Sequence, residues 1–127
     1  VEFITRKRTK PFFLSLQYNA PHWPWQAPGD PPYPDGVPAD ARGSASTYAR
    51  MVQSLDDGVA RVLRAVDQSG IAQDTFVIFT SDNRGERYSQ MGPFSGGKMT
   101  RCEGGIRVGM QTPYSRGGDA PWSAPGE

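Results

Sequence analysis

Apolar residues gather in a few blocks along this chain, and each block has its own period. The run Phe-Phe-Leu-Ser-Leu-Gln-Tyr over residues 12–18 is short, aromatic-rich and bounded by Pro11 and by Asn19-Ala20-Pro21, the punctuation of a buried strand. Tyr48, Met51, Val52, Leu55, Val59, Val62, Leu63 and Val66 recur at steps of three and four, which predicts a helix over 48–70 with one apolar stripe. Ser46 or Thr47 suits the cap at its start, and Gly70 suits the left-handed residue just past its end. Gly58 lies mid-helix at a cost of about 1 kcal/mol relative to alanine, so a close neighbour is expected there. A second apolar strand is predicted over residues 76–80, and it runs into Ser81-Asp82-Asn83.

The stretches between these blocks carry no period. Residues 20–46 are rich in proline, glycine and aspartate, with Trp23 and Trp25 interleaved. Loops beyond about 12–15 residues inside a compact domain usually serve a function or are disordered, and the two tryptophans argue for a loop or lid that packs. From Arg84 onward the chain reads as glycine-rich loop, with a short strand expected near 106–110. Past Gln111 almost no pattern survives, so residues 1–110 form the expected domain and 111–127 a divergent or disordered tail.

Strand, helical crossover, strand is a βαβ unit, whose strands run parallel and whose connection is right-handed. The expected fold class is therefore α/β, with a parallel pair at its centre. In such a pair both C-terminal strand ends open on one sheet edge, where α/β proteins bind ligands. His22, just past the first strand, and Asp82-Asn83, at the tip of the second, are then expected to share a crevice.

Composition narrows the partners. At 127 residues a single core is expected. Lys and Arg number 14 against 13 Asp and Glu, for a net charge of +1, which supplies no field for steering nucleic acid or an anionic membrane. The cluster Arg6-Lys7-Arg8-Thr9-Lys10 reads as a solvated end. One cysteine, Cys102, excludes an internal disulfide, and no Cys/His spacing suits zinc. No run reaches the roughly 20 apolar residues of a membrane span, and no signal peptide is recognisable at the N-terminus.

Asp82-Asn83 presents an anionic and a neutral oxygen side by side, a pairing suited to a hard cation such as Ca²⁺ or Mg²⁺. The same dipeptide also commonly ends a strand and begins a turn. His22, the sole histidine, is a candidate general acid or anion ligand; the alternative is a loop histidine bonded to backbone and stacked on Trp23. Lys98 follows Gly96-Gly97, which lets an ammonium approach an oxyanion closely, whereas most lysines are simply solvated. Gly92 to Lys98 also fits the spacing of a phosphate-cradling loop. That reading fails on context: Met99 stands where the magnesium-binding hydroxyl belongs, no apolar strand leads into Gly92, and Glu103-Gly104-Gly105 follows in place of a helix.

Five segments occur in a telling order: the first strand with Ala20-Pro21-His22, the helix containing Ser54-Leu-Asp-Asp-Gly-Val-Ala-Arg-Val-Leu63, Ile78-Phe-Thr-Ser-Asp-Asn83, Gly97-Lys98, and Glu103-Gly-Gly-Ile-Arg-Val108. In this order the chain resembles the sulfatase family, over roughly residues 11–108. The resemblance implies an alkaline-phosphatase-like α/β fold with a mainly parallel sheet, and metal-assisted hydrolysis of sulfate monoesters. It assigns Asp82 and Asn83 to a divalent cation, usually calcium, Lys98 to the sulfate oxygens, and His22 to the sulfate and the departing oxygen. It also implies a sulfate ester or sulfated glycan as substrate, and a periplasmic, secreted or lysosomal location.

The chain departs from the family pattern at several points. Sulfatases make their nucleophile, a formylglycine, in a Cys/Ser-x-Pro-x-Arg sequence that precedes the part represented here. Cys102-Glu-Gly-Gly-Ile106 lacks both the proline and the arginine, and Ser123-Ala-Pro-Gly-Glu127 ends in glutamate. The upstream paired aspartates of the metal shell are missing too. Arg84 stands where the family commonly has glycine, Arg101-Cys102 replaces a usually apolar pair, and Gly109 replaces a proline. The expectation is an internal piece of a sulfatase catalytic domain, inactive by itself. The alternatives are a phosphoesterase or phosphonate hydrolase of the same superfamily, and a non-catalytic fragment or binding module.

Overall fold

Helix formation begins at Ser44, whose Oγ accepts the Thr47 N–H at 3.1 Å while its carbonyl takes the Tyr48 N–H at 2.9 Å. This is an N-cap placed two or three residues before the expected one. In the computed structural model, which describes residues 1–112, the helix that follows runs over Ala45–Gln68 (α2). It ends as expected, with Gly70 at φ +67°. The buried face of α2 is Met51, Gly58, Ala65 and Val66, whereas Val52 from the expected stripe is exposed. Gly58 has the neighbour its position called for: a Cβ there would lie 2.9 Å from the Tyr18 hydroxyl and 3.0 Å from its ring.

The chain divides into two units, Val1–Gln68 and Ser69–Glu127, and the buried apolar side chains of the described residues form one core, as expected, within the first. In the first, a helical turn at Glu2–Thr5 (α1) packs on α2 with Ile4 buried. Trp25 and Ala27 are buried as well, so the 20–46 loop does pack, through one tryptophan of the two. Tyr33 Oη stitches the loop internally, facing the carbonyls of Pro38 and Ala39 at 2.9 and 3.2 Å and accepting the Arg42 N–H at 3.2 Å. Asp30 fastens it to α2: Oδ2 accepts the Ala27 N–H at 2.8 Å and Oδ1 pairs with Arg50 at 2.7 Å.

Those two contacts, the Ala27 amide foremost and the Arg50 guanidinium next, hold the Asp30 carboxyl below its ordinary value of 3.8. A carboxylate with a depressed native pKa stabilises the fold above its unfolded value, and the contribution disappears as pH falls through the native one. The thermal midpoint of the first unit is therefore expected to fall on acidification below about pH 4. Asp30→Asn removes the ionisation, so its melts by circular dichroism should show a shallower acid limb. An unchanged acid limb would show that the tie carries no weight.

The second unit contains less regular structure. After a 3₁₀ turn at Ala72–Asp74, strand β1 (Phe79–Thr80) pairs antiparallel with β2 (Met110–Gln111), Phe79 opposite Gln111 and Thr80 opposite Met110. Glu103–Ile106 is a helical turn (α3), so the strand expected near residue 106 begins only at Met110. The phosphate-loop reading is then excluded by Met99 and by the lack of a leading strand, and not by the absence of a helix.

The parallel βαβ unit is not formed among the described residues, where the sheet is this one antiparallel pair. Residues 12–18 make no ladder, and the second strand is reduced to its last two residues. A parallel strand is stable only between neighbours and under covered faces; Phe13 at 89%, Leu16 at 52% and Phe76 at 65% exposure have neither.

Candidate functional site

The Asp82-Asn83 tip follows directly on β1. Ser81 Oγ donates to the Asn83 carbonyl at 2.8 Å, fixing the turn; Asp82 is exposed and Asn83 half-buried. Two backbone bonds then stitch the segment after the tip to the loop that follows. The Arg84 N–H donates to the Gly105 carbonyl at 3.2 Å, and the Lys98 N–H donates to the Gly85 carbonyl at 2.9 Å. Lys98 is thereby brought alongside the residues that follow Asp82 and Asn83 within one unit.

The backbone around Lys98 is tightly constrained. Thr100 closes a turn on Gly97, with Oγ1 donating to the Gly97 carbonyl at 2.7 Å and accepting the Gly97 N–H at 3.2 Å. Met99, beside the lysine, takes φ +74°, a left-handed conformation that costs a non-glycine residue about 1–2 kcal/mol. Such strain concentrates at ligand-binding segments. On the other side of the loop the Gly104 N–H donates to the Ser95 carbonyl at 2.8 Å. A Cβ on Gly104 would collide with the Ser95 and Gly96 carbonyls, and one on Gly105 with the Gly97 and Thr100 carbonyls. The sequence marked Gly104-Gly105 as part of a motif; their close backbone approach is the physical reason for two glycines. Thr100 has no sequence signal, since a side chain closing a four-residue turn leaves no period.

His22 belongs to the first unit. Its Nδ1 lies 2.7 Å from the Trp23 carbonyl, and its ring rests on the Trp23 indole with centroids 4.5 Å apart. Those are the contacts of the structural alternative weighed from sequence. With a carbonyl as acceptor, Nδ1 carries the proton, so neutral His22 presents a lone pair at Nε2 and the imidazolium presents a proton there. The parallel pair expected to bring His22 to Asp82 and Asn83 is not formed, so their convergence no longer follows from sheet topology.

The family resemblance implies a divalent cation and a formylglycine, and the two groups fare differently against these residues. The Asp82 and Asn83 oxygens are the right kind of donor for Ca²⁺ or Mg²⁺, but they are two where Ca²⁺ takes about 6–8. Among the described residues no three His, Cys, Asp or Glu side chains gather to complete a shell. For the formylglycine nothing fits: exposed Cys102 precedes α3 and lacks the proline and arginine of the motif.

Comparison with known proteins places the chain. The family model described as Sulfatase matches residues 1–111. Murine steryl-sulfatase is 38% identical over 84% of this chain and 17% of its own length. Murine arylsulfatase J is 35% identical over 82% of this chain and 17% of its own, and human N-acetylgalactosamine-6-sulfatase 33% over 84% and 20%. No solved structure matches significantly. The chain belongs to the sulfatase family, which carries the alkaline-phosphatase-like α/β fold, and it spans about a fifth of the length of these relatives or less.

Proposed function

We propose that these residues form part of the catalytic domain of a sulfuric ester hydrolase, contributing an anion-binding lysine, two metal ligands and a proton-handling histidine. The observation that carries the reading is the backbone bond from the Lys98 N–H to the Gly85 carbonyl, which ties the one basic loop residue singled out by the family pattern to the segment bearing the oxygen donors. Asp82 and Asn83 would hold the divalent cation jointly with ligands from elsewhere in the domain; the cation, when bound, neutralises charge on the sulfate. Lys98 donates from its ammonium to the non-bridging sulfate oxygens. His22, held by Nδ1, delivers a proton from Nε2 to the departing oxygen, which requires the imidazolium. No step is assigned to the nucleophile. The names of the relatives span a steryl sulfate and an N-acetylgalactosamine-6-sulfate, so small sulfate esters and sulfated glycans both stand as substrate classes.

A chimera tests this reading. The matching segment of murine arylsulfatase J, replaced by this chain, should retain turnover of a chromogenic aryl sulfate. Lys98→Ala in the chimera should lower kcat by about 10²–10³, the usual loss when an oxyanion-stabilising donor is removed. Turnover that survives Lys98→Ala, His22→Ala and Asp82→Ala alike would refute the assignment.

A further inference from the structure

Two guanidinium groups lie over the Phe94 ring. Arg84 is 5.0 Å and Arg107 4.8 Å from the centre of its ring, and Arg84 Nη1 donates to the Arg107 carbonyl at 3.3 Å. Arg107 in turn pairs with Glu103 Oε2 at 3.4 Å across one turn of α3. The three residues come from three places: Arg84 directly follows Asp82-Asn83, Phe94 opens the loop carrying Lys98, and Arg107 follows α3. Each contact is favourable for a cation over an aromatic face. Arg84 is a residue by which this chain departs from the glycine of the family pattern.

We propose that the Arg84–Phe94–Arg107 stack is a positioning device for Lys98, fixing the lysine loop to the segment that follows Asp82 and Asn83. It rests on the reading of Lys98 as the sulfate-binding ammonium. The backbone bond from Lys98 to Gly85 ties the lysine loop to the Arg84 segment, and the bond from Arg84 to Gly105 ties that segment to α3, so the main chain links the same three places as the stack. The main chain sets the register of these segments, and the contacts of both guanidinium groups with one ring resist their separation. None of the three is a catalytic residue; each acts through the placement of Lys98.

Amide hydrogen exchange on the full chain, read by NMR, tests this. Phe94→Ala should speed exchange at the Lys98 and Arg84 amides about tenfold and weaken binding of inorganic sulfate, while Phe94→Tyr, which keeps the ring, restores both. Amides of the β1–β2 pair, in the same unit but outside the stack, report whether a variant is folded. Should Phe94→Ala lose that protection as well, Arg84→Gly replaces it as the test and is expected to give the same acceleration. Unchanged exchange at Lys98 in a folded Phe94→Ala or Arg84→Gly chain overturns the proposal. Sulfate binding is also measured in Lys98→Ala. Indifference to that substitution counts against the functional reading, whereas the exchange data decide whether the stack holds the loop.

Discussion

Gly104→Ala is expected to dismantle the loop that carries Lys98. A methyl group at that position meets the backbone carbonyls of Ser95 and Gly96, and main chain cannot rotate away as a flexible side chain would. The Gly104 N–H to Ser95 carbonyl bond, 2.8 Å in the native loop, has to break to make room. Overpacking typically costs about 1–3 kcal/mol, and here a buried backbone bond is lost in addition. The measurement is a ¹⁵N correlation spectrum, in which amides between Arg84 and Arg107 should collapse toward random-coil positions while those of α2 stay. Gly105→Ala, crowded by the Thr100 carbonyl at 2.6 Å, should behave alike. Native shifts for the loop in either variant would mean the close approach is not obligatory.

The second large effect concerns activity. The 127-residue chain assayed by itself with a chromogenic aryl sulfate and excess calcium should show no turnover above the uncatalysed rate. His22 and Lys98 can orient and polarise a sulfate ester, but the sequence holds no Cys/Ser-x-Pro-x-Arg from which a formylglycine is made. Removing a covalent nucleophile from a hydrolase costs on the order of 10⁶ in kcat. Binding energy alone does not compensate, because groups that contact ground and transition states equally do not raise kcat. Turnover in the parent chain that both His22→Ala and Lys98→Ala abolish would require a nucleophile among the residues present.

The helix was legible because its information is local. Eight apolar positions at steps of three and four located α2, Gly58 announced a close neighbour, which is Tyr18, and Gly70 marked the end. The cap was misplaced because Ser44, Ser46 and Thr47 are all competent by chemistry; only the bond from Thr47 N–H to Ser44 Oγ decides among them. The strands were less legible. Apolarity at residues 12–18 and 76–80 reports a need for burial and is silent on the partner, which is long-range information. For the site, the order of short motifs found the family and pointed to Lys98 and Asp82-Asn83. The frame around them, with Thr100 closing a turn and Phe94 in contact with two arginines, joins positions with no sequence period.

Every buried large apolar side chain among the described residues lies in the first unit, where Ile4, Trp25, Met51 and Val66 sit, whereas the buried residues of the second are Gly104 and Gly105. Exposure of apolar surface on unfolding is the source of the large heat-capacity change and of the curvature of stability with temperature. The first unit therefore has a stability maximum and weakens on cooling. The described part of the second, held by backbone bonds and close glycine contacts, is expected to melt with little heat-capacity change and over a broad range. Calorimetry on this chain is therefore expected to record two transitions of different shape, and a single cooperative transition would show that the units unfold together.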